Sequence, residues 1–248
     1  MQDHNPHVAG SSAPLSYLDG PCAAAYAAIA EAPETAPFVV AQLGQSLDGR
    51  IATRTGESRW INGDVALDHV HKLRAVVDAV VVGVGTVVAD DPLLNVRRVK
   101  GRHPARVVID PNGRVPADAR CLLGDDGCRR LVIQRQGCDA PTNAEVVTIT
   151  DTDGALCPRA IVMALFERGL RRLLIEGGAR TVSQFIDAEA VDRLHVLVAP
   201  VILGSGKTGL DLRPIDALRD ARRPKTTAHL LDAGEVLFDC ELAAEHAR

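Results

Sequence analysis

The sequence has few aromatic side chains, 3% of 248 residues, and no surplus of bases, since 28 Lys and Arg stand against 32 Asp and Glu. Nucleic-acid binding therefore lacks both of its usual forces, long-range attraction to phosphate and stacking on bases. The six cysteines form no CxxC pair and suit neither a zinc ligand set nor a small disulfide framework, so reduced thiols and no metal are expected. No apolar run approaches the roughly 20 residues that cross a bilayer, and no membrane partner is expected. The first base other than histidine is Arg50, so neither a positive leader nor an Arg-rich transit segment is read, and the expected location is the cytoplasm. Walker, HExxH and GxSxG motifs are missing, which leaves hydrolase chemistries without residues to carry them.

What is present is a large apolar fraction, 46%, enough for one sizeable core, broken into short runs. The most informative is 80–97, VVVGVGTVVADDPLLNVR. It opens as a β-branched strand buried on both faces and gives way to Gly83, Gly85, a Thr and two acids. Pro92 stops any helix begun at Gly85, leaving Asp90, Leu94 and Arg97 on a loop at the carboxyl edge of a sheet, where open α/β sheets bind ligands. A third glycine and a long crossover helix are missing, so a classical dinucleotide fingerprint is disfavoured.

Similar strand-to-turn transitions recur. Residues 38–43 form a first core strand ending in GQSLDGR, and a polar turn, 53–59, leads to the single tryptophan, Trp60, either core filler or a ligand platform. Further strands are expected at 105–110, 130–134 and 145–149, and helices at 62–77, capped by Asn62 or Asp64, and 160–168. On the first of these, Arg74 lies at the margin of the apolar stripe, either snorkelling to water or pointing to an anion. His69 and His71, two residues apart, are read as surface positions. The strand at 172–175 runs into Glu176-Gly177-Gly178-Ala179-Arg180-Thr181 and a helix; the glycine pair makes either a tight turn or a phosphate cradle. A buried strand bent at Pro200 is expected over 194–203, and an antiparallel edge strand over 236–242 with Val236, Phe238, Cys240 and Leu242 inward. Residues 1–36 read as an extension with a short helix near 22–31, packed outside or partly disordered, or alternatively covering a partner subunit. No linker divides the remaining 37–248.

The set SLDGRIA (46–52), GESRWI (56–61), HKLRA (71–75), VGVGTVVADDPLLNVR (82–97), RVVID (106–110), LLIEGGART (173–181) and APVILG (199–204) resembles the reductase domain of riboflavin biosynthesis, over about residues 37–242. The resemblance implies a dihydrofolate-reductase-like three-layer α/β fold: a mixed, mostly parallel sheet with an antiparallel C-terminal edge and helices on both faces. It implies a homodimer that uses NADPH to reduce the ribosyl group of a ribosylaminopyrimidine 5′-phosphate to ribityl, with hydride passing from nicotinamide C4 to ribose C1′. No counterpart of the bacterial zinc deaminase domain is read, and the free-standing archaeal-type reductases are matched as well as the bacterial ones. By position, the resemblance assigns Ser58, Arg74, Leu94, Arg97 and Glu176 to the substrate. It assigns Gly44, Trp60, Thr86, Asp90 and Gly178, Ala179, Arg180 and Thr181 to the cofactor. Glu176 is the candidate catalytic proton donor, directly or through water. Gln42 stands where bacterial members carry a lysine. Alternative readings are a pterin reductase, a secondary-metabolite reductase of the same chemistry, and a non-catalytic nucleotide-binding protein.

Overall fold

A computed structural model describes residues 18–242 apart from Trp60, Ala140 and residues 153–154, with the side chains of 151–155 also undescribed. In chain order the elements are α1 (Ala23–Ala30), β1 (Phe38–Ser46), β2 (Arg50–Ala52), α2 (Asp64–Val76), β3 (Ala79–Gly83), α3 (Val84–Asp90), β4 (Ala105–Ile109), β5 (Arg130–Gln134), β6 (Glu145–Thr148), β7 (Asp151–Thr152), β8 (Ala155–Leu156), α4 (Pro158–Phe166), β9 (Arg172–Glu176), α5 (Ala179–Asp187), β10 (Arg193–Ala199), β11 (Lys207–Thr208), β12 (Lys225–Leu230) and β13 (Val236–Glu241).

Nine strands form one sheet in the order β12-β13-β10-β1-β9-β3-β4-β5-β6. From β10 to β6 every pairing is parallel; β13 and β12 close the other edge antiparallel. The central parallel strand β3, AVVVG, is an unbroken apolar run whose first four residues are buried, as burial on both faces demands. Val80 and Val82 face a core shared with α1, α2 and α3, while Val81 faces one shared with α4 and α5. Each such valine contributes about 1.5 to 3 kcal/mol by leaving water. The expected layers and mixed sheet are therefore present.

Local expectations fail where a distant group intervenes. α2 has no side-chain cap from Asn62 or Asp64. The buried Glu235, between β12 and β13, accepts from Gly63 N–H at 2.9 Å and from Asn62 Nδ2 at 3.1 Å, so the cap comes from the far end of the chain. β10 stops at Ala199 because Pro200 has no N–H to donate, and Ile202 is exposed. β13 is not the edge strand, and it is buried on both faces: Cys240 is inward as expected, but Leu237 and Asp239 on the opposite face are buried too, while Phe238 is exposed.

α1 is also more than an appendage. Its Tyr26 and Ile29, with Leu18 and Cys22, sit in the core beneath α2. Residues 1–17 lie outside the described part. His69 and His71 are corrected from surface to interior: both are buried. α2 is covered on one side by the sheet and α1 and on another by the 94–98 loop, so a helix that expects one partner surface has two.

Candidate active site

The chain leaves the adjacent parallel strands β3 and β9 toward opposite faces, α3 to one and α5 to the other. A crevice opens at such a switch point, at the carboxyl ends of the strands. Close approach defines it. A Cβ on Gly177, whose φ is +130°, would stand 2.9 Å from Thr86 Oγ1, and one on Gly83 would stand 2.6 Å from Thr181 Oγ1. The Gly178 N–H donates to Thr86 Oγ1 at 3.3 Å. The turn after each strand is thus locked against the first turn of the other strand's helix. Gly178 N-caps α5 without a side-chain cap, so its backbone N–H groups and helix dipole face the crevice. Bare backbone at a helix start, flanked by two threonine hydroxyls, fits the pyrophosphate of a dinucleotide; Gly178, Ala179, Arg180, Thr181 and Thr86 are the residues that would hold it. Arg180 and Asp90 are exposed at the rim.

Immediately before the cradle, β9 ends in Glu176, which is buried. Arg74 of α2 meets it with a bidentate fork, Nε to Oε1 at 3.0 Å and Nη2 to Oε2 at 2.5 Å. Its third nitrogen, Nη1, donates to the Asn95 carbonyl at 3.1 Å. Arg74 therefore neither snorkels nor stands open; its fork is engaged inside the site. Both oxygens of Glu176 accept from Arg74, so the carboxylate meets a ligand as an acceptor. In the sheet Gln42 is the neighbour of Glu176 on one side and of His195 on the other.

The 91–98 loop closes the wall. Asp91 and Leu94 have φ of 39° and 52°, left-handed values that side chains other than glycine rarely adopt. Leu94 is buried, and Arg97 is exposed with Nη1 on Asn95 Oδ1 at 3.1 Å. Burial and then Arg74 push the Arg97 guanidinium below its ordinary pKa. Val96 N–H donates to His103 Nδ1 at 3.1 Å, and Arg97 N–H to His71 Nδ1 at 3.2 Å.

The structure thus brings Arg74, Glu176, Leu94 and Arg97 into one wall, and Thr86 with Gly178 to Thr181 into one cradle. Gly44 lies beyond Glu176 on β1 with Asn62 folded over it, Asn62 Oδ1 standing 2.1 Å from the place of a Cβ. Ser58 is exposed on the turn after β2, and no hydrogen bond among the described residues joins it to Arg74 or Arg97. Trp60 lies outside the described residues. No role is expected from sequence for Asn95, His71, His103 or Glu235; the contacts of Asn95, His71 and Glu235 span 21, 26 and 172 residues, beyond the reach of a local pattern.

The RibD C-terminal domain family matches residues 37–231. The chain belongs to this family. Among RibD-domain relatives, the 2,5-diamino-6-ribosylamino-4(3H)-pyrimidinone 5′-phosphate reductase of Methanothermobacter thermautotrophicus is 36% identical over 196 residues, 75% of this chain and 89% of that protein. The riboflavin biosynthesis protein RibD of Aquifex aeolicus is 32% identical over 192 residues, 76% of this chain but 54% of that protein. The chain thus spans about half the length of that bacterial relative. The solved deaminase/5-amino-6-(5-phosphoribosylamino)uracil reductase of Thermotoga maritima superposes with a TM-score of 0.69 at 28% identity, covering 84% of this chain and 57% of that one. Among the described residues no helix of this RibD domain is long and apolar enough to cross a membrane, and no cluster of three or more His, Cys, Asp or Glu could hold a metal.

Proposed function

We propose that this RibD-type domain is an NADPH-dependent reductase that converts the ribosyl group of a ribosylaminopyrimidine 5′-phosphate to ribityl. The observation that carries the reading is the pairing of a glycine and threonine cradle between β3 and β9 with the Arg74–Glu176–Arg97 wall that starts at the end of β9 itself. Two sites of that kind suit a dinucleotide and a phosphorylated polar substrate held side by side.

In this reading the cradle and α5 fix the cofactor pyrophosphate, and Gly44, Trp60, Thr86 and Asp90 complete its contacts. A bound reduced nicotinamide supplies the hydride. Arg97, the more open of the two arginines, takes the substrate phosphate, with Ser58 at the rim and Leu94 against the apolar part of the ligand. Arg74 orients Glu176, which accepts hydrogen bonds from the substrate and holds the water that gives up the proton. The enzyme works in the cytoplasm as a homodimer. Leu47, Val201 and Ile202, brought together by the Leu47 N–H to Val201 carbonyl bond of 2.8 Å and all exposed, offer an apolar face for that contact.

The test is to incubate the purified chain with NADPH and, separately, the deaminated and undeaminated pyrimidine phosphates. Oxidation of NADPH with one of them is expected, and no oxidation with either refutes the assignment.

A further inference from the structure

Several polar contacts tie α2 to its surroundings, among them His69 to His195, Arg74 to Glu176, and His71 to the main chain of Arg97, beside which Arg98 pairs with Asp64 and Asp68 of the helix. The first two join helix to sheet. The third joins helix to the loop that carries the exposed arginine, and neither the cofactor cradle nor the Glu176 pair uses it. We propose that His71 is a positioning residue for substrate binding: its imidazole holds the Arg97 amide and thereby sets where the Arg97 guanidinium meets the substrate phosphate.

His71 is 3% exposed and lies one turn before Arg74 on α2. An Nδ1 that accepts a hydrogen bond carries no proton, so the ring must be neutral with its proton on Nε2. The groups that face it are Asp68 and Arg74 from its own helix and Arg97 and Arg98 from the loop. Burial first, then these three cations, lower the imidazole to a pKa of about 4, against the opposing pull of Asp68. The cations that would attract a phosphate dianion therefore also keep His71 an acceptor.

The loop needs such a hold. Leu94 sits at φ 52°, and that conformation persists only where neighbours over-determine it. Neighbours do: Asn95 O accepts from Arg74, Val96 N–H donates to His103 and Arg97 N–H to His71. Three consecutive residues are pinned by three side chains of other segments. Arg97 is held at its main chain by His71, which sets where its side chain starts, and its Nη1 donates to Asn95 Oδ1. Misplacing a charged fork by about 1 Å is enough to lose much of its value to a bound anion.

The inference rests on the reading of Arg97 as the phosphate ligand. The experiment compares steady-state kinetics of His71→Leu, His71→Asn and His71→Gln, with Arg97 intact and in an Arg97→Ala background. With Arg97 intact, His71→Leu should raise KM for the pyrimidine phosphate about tenfold, with a much smaller change in kcat and in KM for NADPH. Asn places a carbonyl where Nδ1 stands and should restore KM to within about threefold, whereas Gln sets it one bond too far out and should not. In the Arg97→Ala background the His71→Leu effect should vanish, because the two residues act as one unit. Should His71→Leu fail to fold, the contrast between Asn and Gln decides the matter alone. An unchanged KM in His71→Leu, an equal effect with and without Arg97, or Asn no better than Gln overturns the proposal. If Arg97→Ala raises KM and His71→Leu does not, only the role of His71 falls. If Arg97→Ala leaves KM unchanged, or the unaltered chain oxidises no NADPH, the site reading falls and takes this inference with it.

Discussion

His69 Nε2 lies 3.2 Å from His195 Nδ1, with both rings fully enclosed between α2 and the sheet. The contact extends in both directions. Tyr26 Oη is 2.5 Å from His69 Nδ1, and His195 Nε2 is 3.2 Å from Asp239 Oδ1, although its N–H is not aimed squarely at that oxygen. Arg193 grips the same carboxylate with two bonds. One tautomer choice suits the row: His195 Nε2–H lies beside the Asp239 carboxylate, His195 Nδ1 accepts from His69 Nε2–H, and His69 Nδ1 accepts from the Tyr26 hydroxyl. Burial pushes Asp239 up, but its bonds from His195 and Arg193 outweigh that and hold it below the carboxylate range.

A pH dependence of stability follows. Burial lowers both imidazoles below the free value of about 6.5. The unfolded chain then binds protons that the folded chain refuses, so this part of the stability is complete above about pH 6.5 and is lost as pH falls below it. His71, held at about 4, adds to the slope over the same window. Urea midpoints from pH 5 to 8 should rise with pH and level off above about 6.5. His69→Gln should flatten the curve, and Tyr26→Phe should cost about 1 kcal/mol. A flat profile in the unaltered chain would falsify the assignment of two neutral histidines.

The two site arginines should part company when truncated. Arg74→Ala strands a buried carboxylate and should cost about 3 kcal/mol of stability, most of which Glu176→Ala in the same chain restores. Arg97→Ala, at an exposed position, should leave the melting temperature nearly unchanged and raise only KM for the phosphorylated substrate. Equal melting temperatures for the two single variants would count against this division of roles.

The cradle makes a steric prediction. In Gly177→Ala the new methyl meets Thr86 Oγ1 at 2.9 Å on a backbone with φ +130°, so α3 and α5 must move apart. NADPH affinity measured by titration should fall at least tenfold or so. Thr86→Ser, which keeps the hydroxyl for Gly178 N–H, should bind within about threefold of the parent. Tight NADPH binding in Gly177→Ala would show that the cofactor lies elsewhere.

Asp48 should tie two loops. It accepts from Ser46 Oγ and from Leu203 and Gly204 N–H at 2.7, 3.1 and 2.8 Å, the Ser46 bond first among the causes that lower its pKa to about 2. Its contribution is complete above the free aspartate value near 3.9 and is lost as pH falls toward about 2. Asp48→Asn should expose the 200–206 loop to limited proteolysis at neutral pH; an unchanged cleavage rate would mean that the loop is held by other contacts.

Much of this architecture is legible in the chain. The β-branched runs announce strands buried on both faces, and the glycine turns after β3 and β9 announce the carboxyl-edge crevice, because both signals are local. Arg74 and Glu176, 102 residues apart, were both singled out from sequence, but their mutual grip was not. What stayed hidden has a common cause. Periodicity assigns a helix one buried face, and α2 has two, which is why His69 and His71 are buried although the pattern points them to water. Capping rules look a few residues away, and the cap of α2 comes from Glu235, 172 residues distant. Alternation in β13 implies one face toward solvent, whereas Asp239 is buried between Arg193 and His195.

The bent loop at Asp91 and Leu94 has a thermodynamic consequence. Two residues in left-handed conformations cost on the order of 1 kcal/mol or more each, and that expense is met when the chain folds, long before any ligand arrives. In the proposed reading, substrate meets a wall whose shape is already set, and little of its binding energy is diverted into ordering the loop. Affinity at this site is therefore borrowed from the stability of the fold, so that variants which relax the loop should make a sturdier protein and a weaker binder.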